Sequence, residues 1–132
     1  MAHVSQVQYY NEAVEKQMGF VASVQTGKTL HLAGIVSIDD ALNVVAPGDM
    51  AGQIERVYDI MEKTLAKSGA TLQHVVNELI FVTDLQKFGP DASAARAKRY
   101  AKCTPPATTA VQVAALFFPA AMIEIQATAV LP

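Results

Sequence analysis

Glu124 is the side chain best placed to do chemistry in this chain. It interrupts an otherwise apolar run within residues 105–132, PPATTAVQVAALFFPAAMIEIQATAVLP. A carboxylate inside such a strand either points to solvent or is held where its charge is useful, exchanging protons with water or with a ligand. Ile123 and Ile125 take the opposite face of a strand, toward a core, so Glu124 lies on the other face, solvated or lining a pocket. Thr108 and Thr109 offer hydroxyls that either hydrogen-bond a ligand or simply populate a strand, which threonine favours. His31 is a neutral donor or acceptor to ligand, or a satisfied structural histidine. Arg96 and Arg99 fall on one helical segment, where surface salt bridges are their expected role and reach into a site the alternative. Cys103 has no histidine partner nearby in sequence to activate it. His3, His31 and His74 stand isolated, with no paired ligand spacing, no phosphate-cradling glycine loop and no Gly-x-Ser-x-Gly elbow. Neither a metal nor a cofactor is expected.

The elements that must position these residues follow from periodicity and punctuation. Residues 105–132 read as two strands, Thr108 to Leu116 and Met122 to Val130, separated by Phe117–Phe118–Pro119–Ala120. Upstream, Gly19 to Gln25 and Leu30 to Ala33 form a hairpin about Thr26–Gly27–Lys28, where glycine supplies the positive φ of a tight turn. Residues 34–49 make an irregular excursion. Asp49 then caps a helix whose apolar face is Ile54, Val57, Tyr58, Met61 and Leu65, ending at Ser68–Gly69. A strand covers Val75 to Leu85, and a second helix runs from Pro90 to Lys102, stopped by Pro105–Pro106. Val7, Tyr10 and Val14 would share a face of a short helix, or residues 1–17 form a mobile arm. The order is β-β-α-β-α-β-β in one domain, residues 1–132: an α+β fold with a mixed sheet and two helices on one face.

Composition narrows the class. The 132 residues suffice for one substantial core, and no apolar run reaches bilayer-spanning length. The N-terminus lacks a basic segment followed by an apolar one, and the single cysteine permits no internal disulfide; both suit a soluble, cytoplasmic protein. A net charge of −2, with no basic block beyond Lys98–Arg99, argues against general affinity for nucleic acid. Hydrophobic content of 52% is high for so small a domain, which points to burial between subunits.

Several short motifs in their order resemble the RidA/YjgF family of reactive intermediate deaminases, also described as L-PSP endoribonucleases or translation inhibitors. They are Gly19–Phe20 with Ala22–Ser23–Val24; Leu30–His31–Leu32–Ala33–Gly34; Gly48–Asp49 with Gln53; and Leu65, Gly69, Leu72 and Val75–Val76. Thr83–Asp84–Leu85 with Phe88, Pro106–Ala107–Thr108–Thr109 and Ile123–Glu124–Ile125 complete the set, which covers residues 19–132. The resemblance implies a chorismate-mutase-like subunit, a homotrimer and a small-molecule pocket at each subunit interface. In the deaminating branch an arginine in Pro-Ala-Arg grips the substrate carboxylate, and the glutamate of Ile-Glu-Ile handles water as 2-imino or 2-enamine acids become 2-keto acids and ammonia. The resemblance thus implies Glu124 as the catalytic residue, with Thr108, Thr109, Phe20, His31, Ala33 and Phe88 bordering the pocket.

This chain departs from that pattern at the cation. Thr108 occupies the arginine position and offers one hydroxyl and no charge. Loss of such a desolvated contact costs on the order of 2–5 kcal/mol. Phe20 stands for the family tyrosine, Ala33 for the strand-end serine, Ala92 near an asparagine and Ala110 for a cysteine. Two functions remain open: a Rid-like hydrolase of a small imine, enamine or related metabolite that is not a standard 2-imino acid, or a non-catalytic trimer holding a small apolar ligand against Phe20, Phe117 and Phe118. The acidic balance counts against an endoribonuclease.

Overall fold

The computed structural model describes residues 6–132; His3 and the start of the N-terminal segment lie outside them. The chain opens with β1 (Gln6–Gln8) and α1 (Glu12–Met18), a strand and a helix in the segment that the sequence left undecided. Asn11 caps α1 by accepting from the Val14 N–H at 3.3 Å, and the Glu15 carboxylate returns to accept the Tyr10 and Asn11 N–H groups. The hairpin follows as β2 (Ser23–Thr26) and β3 (Thr29–Leu32), with Thr26 opposite Thr29 and Gly27 at φ 59°. It starts later than the expected Gly19 because Gly19 ends α1 in the left-handed region. β4 (Ile35–Val36) is a short strand within the irregular excursion, which also places Leu42 and Ala46 at positive φ.

Asp49 caps α2 (Met50–Ala66), its Oδ1 3.0 Å from the Gly52 N–H. Ile54, Val57, Tyr58, Met61 and Leu65 form its fully buried face, as their spacing predicted. β5 (Val75–Val82), α3 (Pro90–Arg99), β6 (Ala107–Gln112) and β7 (Ile123–Val130) complete the chain. α3 ends at Arg99, three residues short of expectation, as the chain turns through Tyr100 to Lys102. β6 stops at Gln112 rather than Leu116 because its partner β5 ends at Val82; the Val113 N–H makes the last bond, to Val82 O at 2.8 Å, and residues 114–116 have no ladder to join.

The strands lie in the order β1-β2-β3-β7-β5-β6, with β4 also paired to β7. Among the described strands only β5–β6 is parallel, and α3 forms its crossover. Both long helices cover one face: Arg99 of α3 bridges Glu55, Asp59 and Glu62 of α2, the surface ion pairs expected of it. Beneath the helices lie Ile123, Ile125, Ala127 and Ala129 of β7 beside Ile80 and Val82 of β5. The alternate residues of β7, Glu124 to Val130, take the opposite, open face. Gln53 fixes the start of β7. Fully buried, it donates to Ala46 O and Ala120 O, and its Oε1 accepts the Met122 N–H at 2.8 Å.

Candidate active site

Glu124 sits in a cross-strand row with Val36 of β4 and Phe81 of β5, and Phe81 in turn lies level with Val111 of β6. β3 gives way to β4 at Ala33–Gly34, and the Glu124 carboxylate lies over that break. A Cβ on Gly34 would collide with Glu124 Oε1, so glycine leaves the space the acid occupies. Glu124 is half-buried and makes no hydrogen bond or ion pair among the described residues. Burial without compensation pushes its carboxyl above the usual carboxylate range. A carboxyl raised in this way holds its proton more firmly than an exposed one and is suited to exchange it with a ligand.

A cavity of about 440 Å³ opens beside it, in the size range of small-molecule pockets. Phe20, Ala33, Gly34, Phe117 and Phe118 are among its lining residues, and Val14 of α1, Leu42 and Ile60 extend the apolar lining. Phe117 and Phe118 meet edge to face at 5.3 Å, and Phe117 is 72% exposed. The arrangement offers one reactive carboxyl at the rim of an apolar, aromatic-walled space.

Of the seven residues that the family resemblance placed at the site, Glu124, Phe20 and Ala33 line this one cavity, together with Phe117 and Phe118 of the ligand-holding alternative. The other four do not line it within the protomer. His31 shares the open face but lies level with Thr128, four residues along β7, roughly 13 Å at the usual strand rise. Thr109 is on that face in the row of Leu79 and Gln126. Phe88 is partly buried and packs against the hydrophobic core. Thr108 lies level with Glu78 on the helix-covered face. Its hydroxyl accepts from Arg96 Nη2 at 2.7 Å and donates to Pro106 O at 2.9 Å. An arginine at position 108 would stand against the Arg96 guanidinium.

Arg96 corrects the sequence reading, which expected a surface salt bridge. Its Nη2 pairs at 2.5 Å with Glu78, whose side chain is fully buried, and its Nε donates to the Tyr58 hydroxyl at 3.0 Å. Tyr58 donates to Glu78 at 2.8 Å, and the Tyr100 ring lies beneath the guanidinium at 5.3 Å. Burial, reinforced by the Glu78 charge, raises the Tyr58 and Tyr100 hydroxyls far above the ordinary tyrosine range. Glu78 went unremarked in the sequence, yet its signal was present: it is in phase with Ile80 and Val82, the core-facing residues of the same strand. Gly34 and the α1 wall were also missed as cavity residues. Among the described residues no three His, Cys, Asp or Glu side chains gather as metal ligands, and no helix is long and apolar enough to cross a membrane.

Residues 10–131 match the pattern of the endoribonuclease L-PSP family. The Protein DfrA of Myxococcus xanthus is 37% identical over 111 residues, 81% of this chain and 74% of that protein. The 2-iminobutanoate/2-iminopropanoate deaminase of Mus musculus is 28% identical over 108 residues, 82% of this chain and 78% of its own. The crystal structure of a YjgF/YER057c/UK114 family member from Mycobacterium tuberculosis superposes with a TM-score of 0.81 at 28% identity, covering 96% of this chain and 98% of that one.

Proposed function

The chain belongs to the endoribonuclease L-PSP family, the group of the YjgF and RidA proteins, and from that premise we propose that it is a deaminating hydrolase of small imines or enamines other than standard 2-imino acids. The observation that carries this reading is the unpartnered, half-buried Glu124 over Gly34 at the rim of an apolar cavity. The mouse relative's deaminase activity supports the reaction class.

Glu124 takes a proton from water as the water oxygen bonds to the imine carbon and passes it to the imine nitrogen as the C=N π bond opens, giving the carbinolamine. The carbinolamine then loses its C–N bond. The nitrogen leaves as ammonia, the carbon becomes a carbonyl, and Glu124 relays the proton from the hydroxyl to the departing amine. An enamine enters this sequence after protonation at carbon. The apolar walls exclude bulk water and leave the raised carboxyl as the proton carrier. Thr108 supplies no cation, and its hydroxyl is already engaged with Arg96 and Pro106, so the 2-carboxylate of a standard substrate has no bidentate partner at that position. The pocket is completed at a subunit interface of a homotrimer.

Ammonia release from freshly generated 2-aminoacrylate, set beside a carboxylate-free imine of similar size, tests the reading. We expect turnover of the carboxylate-free imine, little of 2-aminoacrylate, and loss of turnover in Glu124→Gln. The apolar wall favours a second reading, a protein that holds a small apolar metabolite unchanged. A Glu124→Gln variant that alters ligand affinity, with no ammonia released by any form, would replace the first reading with that one.

A further inference from the structure

Arg56 and Lys63 of α2 and Lys67, the residue that caps its C-terminus, recur on one side with Ile60 and Thr64 between them, a stripe at helical spacing. They line a second hollow of about 210 Å³ together with Tyr10 and Asp40. This hollow shares Tyr10, Ile60 and Thr64 with the larger cavity, so the two abut along that wall. Arg56 is held in place, its Nε donating to Ile38 O at 2.7 Å and its Nη2 to the Tyr10 hydroxyl at 3.2 Å. No carboxylate among the described residues comes within ion-pair distance of Arg56, Lys63 or Lys67. Lysines in the last turn of a helix also suit its dipole, but that accounts for neither Arg56 in mid-helix nor the hollow it faces.

Charge is distributed unevenly between the two spaces. The larger cavity is lined by the carboxyl groups of Glu15 and Glu124 and by no cation, so it offers an anion no counter-charge. The smaller sets three cations against the single Asp40. We propose that the two hollows form one binding site for an amphipathic carboxylate, its apolar body in the larger cavity and its carboxylate at Arg56, Lys63 and Lys67. Resting on the reading of Glu124 given above, this names the substrate class: an imine or enamine at one end of an apolar body with its anionic group at the other. With its Nε and one Nη2 hydrogen committed to Ile38 O and the Tyr10 hydroxyl, Arg56 has its remaining Nη hydrogens to offer the carboxylate, and the two lysines add mobile charge.

Equilibrium binding of octanoate and its neutral isostere octanamide, in low salt, decides the matter. Wild type is expected to bind octanoate at least tenfold more tightly than octanamide. Lys63→Gln/Lys67→Gln is expected to erase most of that preference while leaving octanamide affinity unchanged. Among the described residues neither lysine side chain makes a hydrogen bond or ion pair, so the double variant is expected to retain the fold. Equal affinity for the two ligands, or an unchanged preference in the double variant, overturns the proposal. Glu124→Gln serves as the separate arm: it is expected to keep octanoate selectivity while losing turnover. Failure of the catalytic reading and failure of the anion site are therefore read from different measurements.

Discussion

Glu124 carries its proton more readily in the folded chain than in the unfolded one, because burial raises its carboxyl above the ordinary 4.5. The sign of the linkage follows. The stability it lends is fully present below about pH 4.5 and is lost as pH rises through the raised folded value. Melting temperatures of wild type and Glu124→Gln, compared between about pH 4 and pH 8, are expected to diverge in favour of the variant as pH increases. A constant difference across that range would show that the carboxyl is not perturbed. Gly34 is the second residue with a sharp expectation. Alanine there forces the Glu124 carboxylate off its perch, so Gly34→Ala should lower turnover about tenfold or more while the melting temperature moves little. A variant with unchanged turnover would mean that the acid acts from another position.

Elements are tied together by buried polar groups as much as by apolar faces. Glu78 and Arg96 connect β5 to α3, Tyr58 brings in α2, and Thr108 brings in β6. Glu78→Ala leaves a guanidinium without its counter-charge and should cost about 3–5 kcal/mol. Glu78→Leu combined with Arg96→Met should recover most of that loss, measured by urea unfolding. Equal losses in the single and double variants would show that packing, rather than the stranded charge, sets the cost. The same network shows what the sequence could and could not disclose. The helical face of α2 and the Gly27 turn were legible because each is a local, periodic or punctuated signal. So was the outward direction of Glu124, fixed by Ile123 and Ile125. The partnership of Arg96 with Glu78 was hidden because it depends on which strand passes under which helix. The end of β6 was hidden for a similar reason, since a strand stops where its neighbour does. The α1 wall of the cavity escaped notice because its short, polar helix is held by the Asn11 and Glu15 caps and only partly by an apolar stripe.

At the scale of the whole molecule, the open sheet face sets the expectation. Every residue of β6 is exposed in the protomer, and Val111 and Val130 are 41% and 44% exposed. We expect light scattering to report a trimer. Val111→Lys, in the same row as Glu124 and Phe81, should release monomers and abolish turnover. A wild type that is monomeric at working concentrations would remove the inter-subunit pocket. The order of the strands has a consequence for biosynthesis. β7 lies at the centre of the sheet, yet it is the last strand to be made, and it alone joins β1-β2-β3 to β5-β6. Until residues 123–130 leave the ribosome, the two halves share no ladder and the apolar faces of α2, β3 and β5 lack their principal partner. The two halves therefore become one sheet only when residues 123–130 are in place, so the fold closes through its last strand in chain order rather than growing from its first.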